Sequence, residues 1–79
     1  MARIIDGKQT NIVGSRIRDA RIQAGFSQQV LSDKLETLAV YVCRGSISRI
    51  ETFERTVTDI ELDAISKVLN IPLDYLFDR

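Results

Sequence analysis

The 79-residue sequence predicts an all-α domain, a compact bundle of five short helices. Three observations carry that prediction. Apolar residues recur at spacings of three and four, the period of a helix with one buried face. Residues that cap helices stand at the ends of those apolar stretches. The composition, 44% hydrophobic and 28% charged with one proline, is that of a globular chain and excludes disorder as its main state.

Residues 1–10, "MARIIDGKQT", keep no sustained period and contain Gly7, so they read as a flexible arm or a short strand-like piece. Residues 11–79 form the single domain. Asn11 is the expected N-cap of the first helix, whose buried edge is Val13, Ile17, Ala20 and Ala24 and whose end lies near Gly25. Phe26 followed by Ser27 places an apolar residue before the next N-cap, and Val30, Leu31, Leu35 and Leu38 form the second stripe. A linker, "AVYV", leads to "CRGSISRIE" at 43–51. At 100° per residue, Ile47, Ile50 and Glu51 share one side of this third helix, with Cys43 beside them. Gly45, Ser48, Arg49 and Thr52 share the other, with Arg44 and Ser46 at its flanks. "TDIE" at 58–61 is a capping box, Thr58 capping and Glu61 reaching back, and Leu62, Ile65 and Leu69 follow it. Asn70 ends that fourth helix, and Pro72 opens a short fifth, "PLDYLFD".

Several functions are excluded early. The lone Cys43 forms no internal disulfide, and a chain without histidine has neither the usual zinc site nor a histidine-based triad. Asp59, Glu61 and Asp63 are spaced for a helix start and not as a catalytic pair of carboxylates. No enzyme activity and no cofactor are expected. Without a run of about 18 apolar residues or an apolar leader, a soluble cytoplasmic protein is expected.

Net charge is zero but unevenly spread. Residues 1–35 carry six basic against three acidic residues, and residues 56–79 carry two against five. A basic front of this kind suits a polyanion. The third helix sharpens the point, because its outward residues are small apart from two arginines. A helix enters the DNA major groove only when its outer face is not bulky, and arginine is the commonest reader of guanine through O6 and N7.

Taken together, "RIQAGFSQ" joining the first two helices, "SISRIE" on the third and "LNIPLDYLF" near the end resemble the Cro- and phage-repressor-type (XRE) helix-turn-helix domain, over residues 12–77. The resemblance implies a lambda-repressor-like bundle in which the second and third helices form the reading unit, in a bacterial or phage-encoded protein. Arg44, Gly45, Ser48 and Arg49 match its base-facing positions, with Arg44 the first choice for a base reader. Ser27, Gln28, Ser46 and Arg55 match backbone-contacting positions, and Arg55, Arg16 and Arg18 each either meet a phosphate or stay solvated. Arg21 and Glu51 match a structural salt bridge between the first and third helices. Arg3 and Lys8 on the arm either follow a groove or stay solvated.

Two departures from that pattern matter. "ETLAVY" lengthens the connection between helices two and three by about five residues, with the second helix expected to run on to Leu38 and Tyr41 to pack beneath the loop. Phe53 replaces a glycine common after the third helix. Cys43, at the N-cap, is expected to pack beside Val42.

The apolar tail, with Leu73, Tyr75 and Phe77 as contact candidates, is expected to leave a surface for a homodimer, and a dimer reads palindromic half-sites. The expected function is a repressor acting on double-stranded DNA, controlled by its abundance, by a protein partner or by a domain outside this chain. The alternative is a protein-interaction module such as an antitoxin, which would use an apolar patch around Tyr41, Phe53 and Phe77.

Overall fold

Isoleucines and leucines at helical spacing meet in one core, in which Ile17, Leu31, Leu35, Ile47, Ile50, Ile65 and Leu76 are all under 2% exposed. They belong to five helices in a computed structural model that describes residues 10–77. The helices are α1 Gly14–Gln23, α2 Gln28–Glu36, α3 Arg44–Glu51, α4 Asp59–Leu69 and α5 Leu73–Leu76. No strand occurs among the described residues. α3 packs on α1 and α2, whereas α4 packs on α1, α2 and α5. No described helix is long and apolar enough to cross a membrane.

The expected stripes are narrower than predicted. Ala24, Val30 and Leu38 are exposed. Ala24 is already the C-cap of α1, and Leu38 lies in the turn beyond α2. Val30, one residue before buried Leu31, points about 100° away from it. Proline 72 stands one place earlier than expected, as the N-cap of α5.

Asn11 caps α1 from two residues upstream of the N-cap position, which Val13 occupies. Its Oδ1 accepts from the backbone N–H of Val13 at 3.1 Å and of Gly14 at 2.8 Å. Its Nδ2 donates across to the carbonyls of Ile50 at 3.1 Å and Arg55 at 2.8 Å. Thr10 adds a backbone N–H and a hydroxyl bond to the Phe53 carbonyl. Gly14 completes this junction, because a Cβ there would collide with the Ile50 carbonyl oxygen. Of the predicted arm, residues 1–9, with Arg3 and Lys8, lie outside the described residues.

Four helices end in the same way. Residues Gly25, Ala39, Phe53 and Asn70 take positive φ. In each case their N–H bonds the carbonyl three residues back, and the next N–H bonds the carbonyl five back. This is the Schellman turn, which closes the free carbonyls of a helix end. Glycine and asparagine enter the left-handed region readily; alanine and phenylalanine do so at a cost of about 1 kcal/mol. Phe53 is half-buried, whereas Ala39 is exposed and has no packing to lose.

Ala39→Gly should therefore stabilise the domain by about 1 kcal/mol, by relieving a strained backbone without opening a cavity. A urea midpoint that falls or does not move would show that Ala39 is unstrained.

Candidate nucleic-acid interface

The third helix turns two isoleucines inward and presents its polar edge outward. Ile47 and Ile50 are each 1% exposed. Arg44, Arg49 and Thr52 are exposed, and Gly45, Ser46 and Ser48 are half-buried between them. All four residues expected to face bases are on this edge. So is Ser46, whose Oγ accepts from the Arg49 guanidinium at 3.4 Å. Acid-rich α4 packs on α1, α2 and α5, and at the far end of the edge Thr52 donates its hydroxyl to Glu54 Oε2 at 2.8 Å.

A buried three-helix junction aims that edge. Arg21 on α1 donates through Nε to Glu51 Oε2 at 2.7 Å and through Nη2 to Oε1 at 3.0 Å. Its Nη1 donates to the Phe26 carbonyl at 2.8 Å, in the turn before α2. Gln28, at the start of α2, donates Nε2 to Glu51 Oε1 at 3.1 Å. The Glu51 side chain is 2% exposed and that of Arg21 11%. A fork of this kind fixes the rotation of α3 as well as its distance from α1, because both guanidinium donors must meet both oxygens.

The other anticipated backbone contacts are spread over the surface. Ser27 caps α2, its hydroxyl accepting from Val30 N–H at 3.0 Å. One of Gln28's two amide hydrogens is engaged with Glu51, which leaves the second for an outside acceptor. Arg55 forks onto Glu61 at 3.0 and 2.8 Å and also donates to the Thr56 carbonyl. Its guanidinium thus braces the capping box of α4, a role the sequence does not reveal. Arg18 is exposed on α1, and Arg16 lies over the Tyr75 ring, 5.0 Å from its centroid.

The lengthened connection corrects three expectations. α2 stops at Glu36 and turns through Ala39, short of Leu38 as a helical residue. Beyond that turn burial alternates, with Val40 half-buried, Tyr41 75% exposed and Val42 2% exposed. Alternation is what an extended backbone imposes, so anchoring both valines puts Tyr41 outside. Cys43 is exposed as well, instead of packing beside Val42. Its hydrogen bond with Ser46 holds the thiol below its ordinary pKa.

In the apolar tail, Leu76 is buried and Tyr75 and Phe77 are half-buried against the core, leaving Leu73 41% exposed. Tyr41 lines a cleft with Ser32, Glu36, Val42, Cys43 and Ser46, and Phe77 one with Thr10, Asn11, Val57 and Leu62. Two positioning residues, Gly14 and the far side of Asn11, escape sequence reasoning. The one signal for them is a glycine in the first turn of a helix, where it is unfavourable unless something packs against it.

Glu51→Ala should destabilise the domain by about 3–5 kcal/mol, because it strands the Arg21 guanidinium in the interior. An unchanged thermal midpoint would remove Glu51 from this role. Arg55 holds the Glu61 carboxyl below its ordinary range. A lowered folded pKa contributes stability above the unfolded value of about 4.3 and loses it as pH falls through the folded value. Glu61→Gln should therefore lower the urea midpoint at pH 7 and converge with the parent in acid; an equal deficit at both pH values would contradict this.

Against this geometry, a helix-turn-helix family profile matches residues 17–76, from inside α1 to the end of α5. No curated protein matches the chain. The chain belongs to the XRE, lambda-repressor-like helix-turn-helix family, and it is a DNA-binding transcription regulator of that type.

Proposed function

We propose that this regulator is a dimeric repressor that reads a palindromic operator with the outer edge of α3. The observation that carries the reading is that edge itself: two exposed arginines on a helix of otherwise small outward residues, held from behind by Ile47, Ile50 and Glu51. A helix so furnished enters the major groove, and the N-terminal part of a recognition helix meets base edges first. Arg44, in the first turn, forks onto guanine, and the small Ser48 lets the backbone approach. Ser27, Ser46 and the second amide hydrogen of Gln28 face phosphates, where they set register without carrying sequence information.

One eight-residue helix offers few contacts, and doubling it over two half-sites supplies the missing affinity. Leu73, with Tyr75 and Phe77 beside it, is the proposed seam between protomers. Occlusion of a promoter then suffices for repression.

Selection from a randomised duplex pool, followed by titration at several salt concentrations, tests the reading. An enriched palindrome with a steep salt slope supports a dimeric reader. Weak, sequence-blind binding would overturn it. On the enriched site, Arg44→Ala should cost about 1–3 kcal/mol and relax preference at one base pair. An equal loss on every sequence would make Arg44 a phosphate contact.

A further inference from the structure

We propose that Gly45 is a positioning residue, the seat that places the Arg49 guanidinium for base reading. In this arrangement Arg49 occupies the reading position that glycine 45 leaves without a side chain. The inference rests on the reading of α3 as a recognition helix and specifies how that helix divides its work.

Side chains on a helix lean toward its N-terminus and cover the residues three and four places earlier. For Arg49 those residues are Ser46 and Gly45. The guanidinium follows that direction, Nη2 donating to Ser46 Oγ at 3.4 Å. A Cβ built on Gly45 would lie 3.6 Å from Nη1 and 3.9 Å from Nη2. The head group of Arg49 thus lies flat on the outer surface of α3, about one turn (~5.4 Å) nearer the N-terminus than its own Cα. That is the end of a recognition helix that meets bases. Only one of the five guanidinium N–H donors is used by Ser46, so a fork remains for the O6 and N7 of guanine.

The glycine is unfavourable for the helix by about 1 kcal/mol relative to alanine, and nothing but Arg49 lies within 4 Å of its missing side chain. Close packing inside the domain therefore does not account for it. A branched or long residue there would displace the guanidinium. An alanine would sit in ordinary contact with it. Arg49 held in this way is partly pre-ordered, which lowers the entropy lost when it docks on a base.

The test compares base preferences of the full chain and its variants in the same randomised-pool selection, with melting curves to establish that each variant folds. Arg49→Lys keeps the charge and loses the fork. It should reduce discrimination at one base pair about tenfold while leaving the salt slope unchanged. Gly45→Leu should lose preference at that same base pair, and the double variant should lose no more than either alone. Gly45→Ala should keep the parent profile. The inference is overturned if Arg49→Lys leaves every preference intact, if Gly45→Leu changes a different position or weakens all sequences equally, or if the two effects add. A parent chain that enriches no sequence would instead bring down the recognition-helix reading itself.

Discussion

The glutamate at the end of α3, gripped by α1 and α2, is the constraint on which the rest of the molecule depends. Glu51 receives two N–H bonds from Arg21 and one from Gln28. A helix of eight residues is too short to be stable alone in water. Its existence and its direction both come from what it is packed against. Ile47 and Ile50 supply the attraction, but apolar contact is non-directional and would tolerate a small rotation. The carboxylate fork does not. Burying a charge pair adds little net stability, so the contribution of Glu51 is to fix which residues of α3 face outward. A rotation of one residue would turn Arg49 aside and bring Ile50 to the surface.

A second grip acts on the carbonyl end of the same helix. The carbonyls of Ile50, Phe53 and Arg55 are taken by Asn11 and Thr10. The approach is so close that position 14 has room only for hydrogen. The beginning of α1 and the end of α3 thus act as one piece. Arg55, drawn onto Glu61, links this junction to the first turn of α4. The start of α1, the end of α3 and the start of α4 are therefore tied together by partners distant in the chain.

What the sequence makes legible here is local chemistry. Ser27, Thr58 with Glu61, and Asn70 all perform the capping roles their types and spacings announce, because a cap acts within four residues of itself. The inward pair Ile47 and Ile50 is equally plain from helical period. What stays hidden depends on contacts between distant segments. Glycine 14 looks like a weak point in α1 until Ile50 is brought against it. Arg55 looks like a free cation until α4 folds back to offer Glu61. Gln28 reads as an outward residue, yet its amide leans on Glu51, 23 positions away. Arg21 and Glu51 themselves were visible through family likeness and not through spacing, since 30 residues separate them. Tyr41 faces solvent for a related reason: its direction follows from which neighbours are anchored, and only the fold shows that both valines are.

The lengthened connection between α2 and α3 is pinned along most of its seven residues. It begins in the closed turn at Ala39, in which the N–H of Val40 returns to Leu35 at 3.1 Å. Two residues later Val42 enters the core at 2% exposure. The N-cap Cys43 then starts α3 in extended geometry. No stretch of more than one residue lacks an anchor, so the extra length adds no freedom between the two helices. Strain gathers in this same unit. α1 ends on glycine and α4 on asparagine, both suited to a left-handed backbone, whereas α2 and α3 end on alanine and phenylalanine. The two helices proposed as the reading unit are therefore the two with ill-suited final turns, and their geometry is imposed by tertiary contacts against local preference. Phe53 recovers part of that cost by half-burying its ring and by offering its carbonyl to Thr10. Ala39 recovers none of it through its own side chain, and the valines beside it must carry the turn.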